Sequence, residues 1–365
     1  MTADKARYVE TRSPELSPEH LIVLMGEAIR RCELDLSGMT LLTEAASGAY
    51  SVTPVLAALS GAKRVFTLAR DSRFGTVDEV RRGTTLLARI ANVSDRVEIV
   101  TDKRREIVAE ADIITNSGHL RPIDREMVGW MKPTAVIPLM YEAWELREVD
   151  IDLAACAVRR IAVAGTNERH PAVDVFSFLG VVAARLLTDA GIALEGRRIL
   201  LWCDNPFHPF LEEHLIKLGA LVERIENLDV SHDGRVPDAI LLATTPTHRP
   251  VVGTRESEII ANRYPGARVA QFWGDMDRDA LARCGVPFWP VEPPPRGHQG
   301  IMLSSVGPEP VVRLQSGGLK VGEVMARVRM TGFGEKASCI RAIEAAVASG
   351  FGQALISPSA PSQTS

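Results

Sequence analysis

MTLLTEAASGAYSVTPVLAALSGAKRVFTLARDS, residues 39–72, decides how the fold is read. Leu41-Leu42 begin an apolar strand, Ala45 to Ala49 form a turn of small residues, a helical run closes at Gly61, and a second strand ends at Asp71. Strand, tight turn, helix and strand with a terminal acid make a mononucleotide-binding βαβ unit. Small residues at the turn let backbone N–H groups and a helix N-terminus approach an anion or a ribose. Ala46, Gly48 and Ser51 occupy the fingerprint positions with only the middle glycine kept, and Asp71 follows at about the 20-residue spacing expected of a ribose-binding acid. A degraded glycine pattern also suits a βαβ turn that binds nothing.

On the N-terminal side, residues 1–16 read as a loose arm. Ser17-Pro18 is a helix start, with Leu21, Leu24, Met25, Ala28, Ile29 and Cys32 at helical spacing on a face expected to pack on the first sheet. Residues 1–38 thus form an arm and a helix. On the other side, α/β alternation runs through residues 39–170, with further strands at 97–100, 112–115, 135–137 and 161–163. Short strands spaced by helical patterns predict a doubly wound parallel sheet with right-handed crossovers.

A linking helix is expected within residues 171–195, with its apolar run from Val173 to Leu187. The alternation restarts over residues 196–295. Asp112-Ile113-Ile114-Thr115 followed by Met131-Lys132-Pro133 has a counterpart in Asp238-Ala239-Ile240-Leu241 followed by Tyr264-Pro265-Gly266. The expected fold class is therefore α/β, two tandem Rossmann-like doubly wound parallel-sheet domains joined by a long helix. After Pro293-Pro294-Pro295, residues 296–330 read as a closing segment in which Gly317-Gly318 leads into a helix near 323–329. Residues 331–365 read as a C-terminal helix and a disordered tail.

With 365 residues, 46% hydrophobic, 24% charged and a net charge of −4, the chain is of globular composition and lacks a basic field for nucleic acid. Five scattered cysteines show no CxxC pair, and no stretch approaches a membrane span. The cytoplasm is the expected compartment. A small-molecule substrate is the expected partner, without nucleic acid or membrane, and a homo-oligomer is compatible with this composition.

Residues 111–137, ADIITNSGHLRPIDREMVGWMKPTAVI, resemble the fourth-to-fifth-strand stretch of NAD-dependent 2-hydroxyacid dehydrogenases and adenosylhomocysteinase. Residues 167–201, from NERHPAVDVF to the next strand, resemble the linking helix of those two-domain enzymes. The resemblance implies NAD or NADP as cofactor. The second half carries Asp204-Asn205-Pro206-Phe207-His208-Pro209-Phe210 at its first turn in place of a glycine motif, which makes the first domain the cofactor candidate. Glu44-x-Ala46-x-Gly48, Ser60-Gly61-Ala62-Lys63-Arg64-Val65, Asp71 and residues 93–102 also resemble the opening motifs of class I methyltransferases. That likeness implies S-adenosylmethionine in the same pocket.

His119 follows an apolar strand at the carboxyl edge, where a side chain titrating near neutrality can act as acid or base. A loop histidine bonded to backbone is the alternative. Glu142 and Glu145 follow the next strand and could orient His119 or bind a substrate amine; a solvated acid pair is the alternative. Glu44, Ala46, Gly48, Ser51, Asp71 and Asn116 are the candidate cofactor contacts. Asn167, His170, Asp204, Asn205, His208 and His298 are candidate substrate contacts; Glu168 lies beside the first two. No histidine or acid pair has metal-ligand helical spacing, so no metal is expected. The expected function is an NAD(P)-dependent oxidoreductase acting on a small polar metabolite between the two domains. A methyltransferase and a non-catalytic tandem Rossmann binding subunit are the alternatives.

Overall fold

The computed structural model describes residues 16–228, 236–331 and 336–355. The arm and the tail expected at the two ends lie, except for Leu16, outside these residues. The chain divides into two compact units, one from residues up to Val175 together with those from Gly307 onward, the other from Phe176–Val306.

The first unit is built on six parallel strands: β1 (Thr40–Glu44), β2 (Arg64–Leu68), β3 (Val97–Val100), β4 (Ile113–Ile114), β5 (Val136–Pro138) and β6 (Ala162–Thr166). The second unit contains β7 (Arg198–Trp202), β8 (Leu221–Ile225), β9 (Ala239–Ala243), β10 (Arg268–Trp273) and β11 (Phe288–Trp289), also parallel. A last strand, β12 (Gly352–Gln353), returns to the first sheet antiparallel to β6. The first sheet runs β3-β2-β1-β4-β5-β6-β12, the strand order of dinucleotide-binding folds with one strand added. The second runs β8-β7-β9-β10-β11, which is the flavodoxin-like order. Both units are doubly wound, but they are wound in different orders.

The internal repeat has a structural meaning at its acids. Asp112 accepts the backbone N–H of Thr40 at 2.9 Å and pairs with Lys132 at 2.6 Å, fixing the start of β4 beside β1. Asp238 does the same in the second sheet, accepting the N–H of Arg198 at 2.8 Å and pairing with Arg197 at 3.0 Å. The lysine of the MKP sequence thus works at the amino ends of the strands, opposite the edge where open α/β sheets bind ligands.

Helices cover both faces. In chain order they are α1 (Pro18–Cys32), α2 (Val52–Leu59), α3 (Val77–Ile90), α4 (Arg105–Glu110), α5 (Arg125–Trp130) and α6 (Leu153–Arg159) in the first unit; α7 (Leu179–Asp189), α8 (His208–Lys217), α9 (Thr254–Arg263) and α10 (Arg278–Arg283) follow in the second. Ser17 caps α1 through its hydroxyl and Pro18 opens the helix, as the sequence indicates. The buried face of α1 packs mainly on α2 and on α11 (Glu309–Thr331), not directly on the sheet. The apolar stretch expected to form one linking helix resolves into a short 3₁₀ turn, Phe176–Phe178, and α7.

Gly317-Gly318 lie inside α11, which begins fourteen residues before the expected helix near 323–329. Glycine normally weakens a helix interior by about 1 kcal/mol. Here, close packing accounts for it: a Cβ at Gly317 would stand 2.8 Å from a methyl of Val173, and one at Gly322 would stand 2.9 Å from a methyl of Ile113. A Cβ at Gly318 would overlap the Met140 sulfur. The glycines let α11 lie close against the strand ends of the first sheet. Arg313, paired with Asp174 at 2.9 Å, and Lys320, whose Nζ donates to the Glu33 carbonyl at 2.8 Å, pin the same helix.

Gly165 on β6 is a second such contact, because a Cβ there would meet the backbone N of Ala143 at 2.5 Å. Gly165→Ala is expected to destabilise the protein by roughly 1–3 kcal/mol in urea unfolding, the range for overpacking a close contact. Gly83→Ala, on an open face of α3 with nothing within 4 Å, is expected to stabilise it by about 0.5–1 kcal/mol. Equal effects at the two positions would contradict the packing account.

Candidate active site

In the first sheet the winding direction reverses between β1 and β4, and the crevice outside their carboxyl ends is where such a fold takes a ligand. The hydroxyls of Thr43 and Thr115 meet at 2.9 Å and hold the two strand ends together. Beyond them, the Glu44 carboxylate accepts the backbone N–H of His119 at 2.9 Å and lies 3.8 Å from the His119 ring nitrogen Nε2. Gly118, at φ +34°, makes this approach feasible, since any Cβ there would overlap the carboxylate. Burial raises the Glu44 pKa, opposed by the N–H and the imidazole of His119.

Asn116 is 1% exposed, and its Oδ1 accepts the N–H of Met140 at 2.8 Å. Its Nδ2, and the Oγ of the neighbouring Ser117, are buried without a hydrogen-bond partner. Buried polar groups are nearly always paired, so two orphaned donors at a switch point fit a ligand bearing acceptor atoms.

The first turn follows the βαβ reading with modifications. Gly48 alone of the fingerprint positions has positive φ, +59°, and Gly48–Ser51 form a 3₁₀ turn ahead of α2. Ala46 lies in the irregular link between β1 and the bend at Ser47, and Ser51 precedes α2 without a side-chain capping bond. Ser47 Oγ donates to the Phe74 carbonyl at 3.0 Å, tying this turn to the loop after β2. In that loop Asp71 is exposed, and its Oδ1 accepts the N–H of Val77 at 2.7 Å. Pro54 removes one N–H from the first turn of α2, and the Glu44 carboxylate stands at the end of β1.

Glu142 and Glu145 belong to a separate acidic cluster with Glu168 and Tyr50. Glu142 is 1% exposed and accepts from the indole N–H of Trp144 and from Gln353 Nε2 at 3.2 Å. Glu145 accepts the Glu142 N–H at 3.2 Å. Burial, with the Glu142 charge adding to it, pushes the Glu145 pKa up to about 7. Burial and the two neighbouring carboxyls hold Glu168 well above the usual carboxylate range. Tyr50 is pushed up to about 12 by burial and by the charges of Glu168 and Glu145. His119 therefore has Glu44, not Glu142 or Glu145, as its hydrogen-bonded acid.

The remaining candidates are distributed as follows. Asn167 Nδ2 donates to the Gly350 carbonyl at 2.8 Å, and the His170 ring stacks on Phe351 at 3.8 Å between centroids; both side chains hold the C-terminal strand. Asp204, Asn205 and His208 gather at the reversal point of the second sheet, between β7 and β9. Asp204 accepts the N–H of Thr245 at 2.8 Å, Asn205 Nδ2 donates to Ala243 O at 2.7 Å, and His208 Nδ1 lies 3.2 Å from Asn205 O, so these side chains tie the two loops to each other. His298 sits in the loop after β11, its N–H on the Pro295 carbonyl at 2.9 Å. Among the described residues, no three histidines, cysteines or acids are grouped to hold a metal, and no helix is long and apolar enough to cross a membrane. Tyr50 and Gln353 carried no signal in the sequence; Glu168 was visible only as a neighbour of Asn167.

Solved structures share this architecture. A dipicolinate synthase structure from Bacillus halodurans matches with a TM-score of 0.50 at 10% identity, over 81% of this chain and 99% of that one. One of dipicolinate synthase from Bacillus subtilis matches with a TM-score of 0.50 at 10% identity, over 82% and 100%. NAD+-bound 3-phosphoglycerate dehydrogenase from Entamoeba histolytica aligns at a TM-score of 0.42 and 13% identity, over 78% and 93%. No protein-family model and no curated protein sequence matches the chain. At these identities the first two similarities establish the two-domain α/β fold.

The raised Glu145 pKa makes a pH-dependent prediction. A carboxyl whose folded pKa of about 7 exceeds its ordinary 4.5 favours the folded state least once it must ionise there, so its contribution falls as pH rises from about 4.5 to about 7. Glu145→Gln is therefore expected to melt above wild type at pH 8 and with it at pH 4.5. A lower melting temperature for the variant at pH 8 would contradict this.

Proposed function

We propose that the chain is an NAD(P)-dependent oxidoreductase that holds its cofactor on the first unit and acts on a small polar metabolite. The observation that carries this reading is the pair of orphaned donors, Asn116 Nδ2 and Ser117 Oγ, at the β1/β4 reversal of a dinucleotide-ordered sheet. Asp71 would take a ribose hydroxyl on its second oxygen, and Asn116 would donate to an acceptor such as a carboxamide oxygen. The nicotinamide supplies a hydride acceptor or donor when bound. His119 moves the accompanying proton, with Glu44 fixing the backbone behind the ring.

A second reading rests on Glu44 itself. A carboxylate at the end of β1 opposes a pyrophosphate but attracts an ammonium, as the amino-acid end of S-adenosylmethionine presents. The same pocket would then serve a methyltransferase, with Asp71 again on the ribose.

Thermal shift separates the two, since a ligand at 100 times its dissociation constant adds about 2.7 kcal/mol to stability. NAD or NADP is expected to raise the melting temperature, Asp71→Ala to abolish the shift, and S-adenosylmethionine to leave it unchanged. A shift with S-adenosylmethionine alone would establish the second reading, and no shift with any of them would overturn both. His119→Ala is expected to keep the cofactor shift while losing about 10²–10⁴-fold in turnover.

A further inference from the structure

The loop after β2 that carries Asp71 also carries two arginines. Arg70 and Arg73 flank Asp71, and both are exposed. Neither has an ion pair among the described residues. The acids nearest in sequence are engaged elsewhere: Asp71 Oδ1 accepts the Val77 N–H at 2.7 Å, and Glu79 Oε2 accepts the Thr76 N–H at 2.8 Å and the Thr76 hydroxyl at 2.9 Å. These carboxylates, with Asp78 in the first turn, serve the start of α3.

The loop is held in shape beside the turn after β1. The Ser72 N–H donates to the Gly75 carbonyl at 3.0 Å, Ser72 Oγ accepts the Phe74 N–H at 3.1 Å, and the Phe74 carbonyl accepts from Ser47 Oγ. The Arg73 guanidinium lies over the Phe74 ring, 4.6 Å from its centroid, a contact that orients it without neutralising it. A third cation stands on the neighbouring strand. β3 pairs with β2 as far as Leu68 and Val100, and just beyond it Lys103 Nζ donates to the Leu120 and Pro122 carbonyls at 2.8 and 2.9 Å. Burial lowers the Lys103 pKa; Asp124 opposes this and the Arg70 charge adds to it. Cations that repel one another at the ribose edge of a dinucleotide-ordered sheet suit an anionic group on the ligand.

We propose that the first unit takes NADP in preference to NAD, with the 2′-phosphate held by the guanidiniums of Arg70 and Arg73. This rests on the cofactor reading above and narrows it. NADP differs from NAD by one phosphate monoester on the adenosine ribose. Its oxygens match two planar guanidiniums, each able to donate two N–H groups at once. Asp71 alone would favour a free 2′-hydroxyl, but the two guanidiniums outweigh its single charge, and Asp71 keeps the 3′-hydroxyl.

The test is calorimetric titration of NADP and NAD into the full-length protein at low and at high salt. NADP is expected to bind at least about tenfold more tightly than NAD, as added charge-assisted hydrogen bonds would give. The margin is expected to narrow as salt screens the arginines. Arg70→Ala and Arg73→Ala are each expected to lower the NADP-to-NAD affinity ratio, the double variant to bring it close to one, and the corresponding lysine variants to lower it less. Both side chains are exposed, so the variants are expected to melt with the wild type. Equal affinity for the two cofactors, tighter binding of NAD, a margin indifferent to salt, or an unchanged ratio in the double variant would each overturn the proposal and leave the cofactor reading standing. Binding of neither cofactor would overturn both.

Discussion

The adjacency of β1 and β4 is the constraint on which the rest depends. It is fixed at one end by the Asp112 carboxylate on the Thr40 N–H, with Lys132 closing the pair, and at the other by the Thr43 and Thr115 hydroxyls. Between these clamps the two strands pair in parallel, Leu41 with Ile113 and Leu42 with Ile114. Chains leaving the two strands then turn to opposite faces of the sheet, and the crevice between the departing loops is where Glu44, Asn116, Ser117 and His119 meet. Without this adjacency Asn116 would have no buried position to be orphaned in.

The two groups of acids in the first unit do different work. Glu44 is partly compensated, by a backbone N–H and an imidazole from the same turn, and so it can orient a histidine. Glu145 and Glu168 are instead held above the usual carboxylate range, first by burial and then by the charges of neighbouring carboxyls. In the second unit, Asp204 and Asn205 spend hydrogen bonds at the end of β9 and on the loop after it, on Ala243 and Thr245.

Much of the fold was legible where local signals and burial agree. The Ser17-Pro18 helix start, the alternation of short apolar strands with helices, and the Asp112/Asp238 repeat all reappear with a physical role. Strand order in the second sheet was hidden, because pairing of β7 with β9 is a non-local choice that periodicity does not encode. Gly317-Gly318 misled for a related reason: in isolation the pair breaks a helix, whereas here Val173 and Met140 occupy the space that side chains would need. At the site, residues following a strand end could be nominated from sequence, but their partners could not. His119 meets Glu44 across a long sequence interval, Asn167 and His170 meet residues 350–351, and the charge of Glu168 helps raise the Tyr50 pKa.

The β1/β4 crevice of the first unit, and not the β7/β9 crevice of the second, is the proposed site of the dinucleotide. The direct measurement is a selectively labelled NMR titration that follows the Asn116 side-chain amide and the backbone amides of 116–119 against those of 203–205 as NAD is added to saturation. The Asn116 Nδ2 protons and the 116–119 amides are expected to shift together and saturate while 203–205 stay still. Shifts confined to residues 203–205, with Asn116 unmoved, would contradict it.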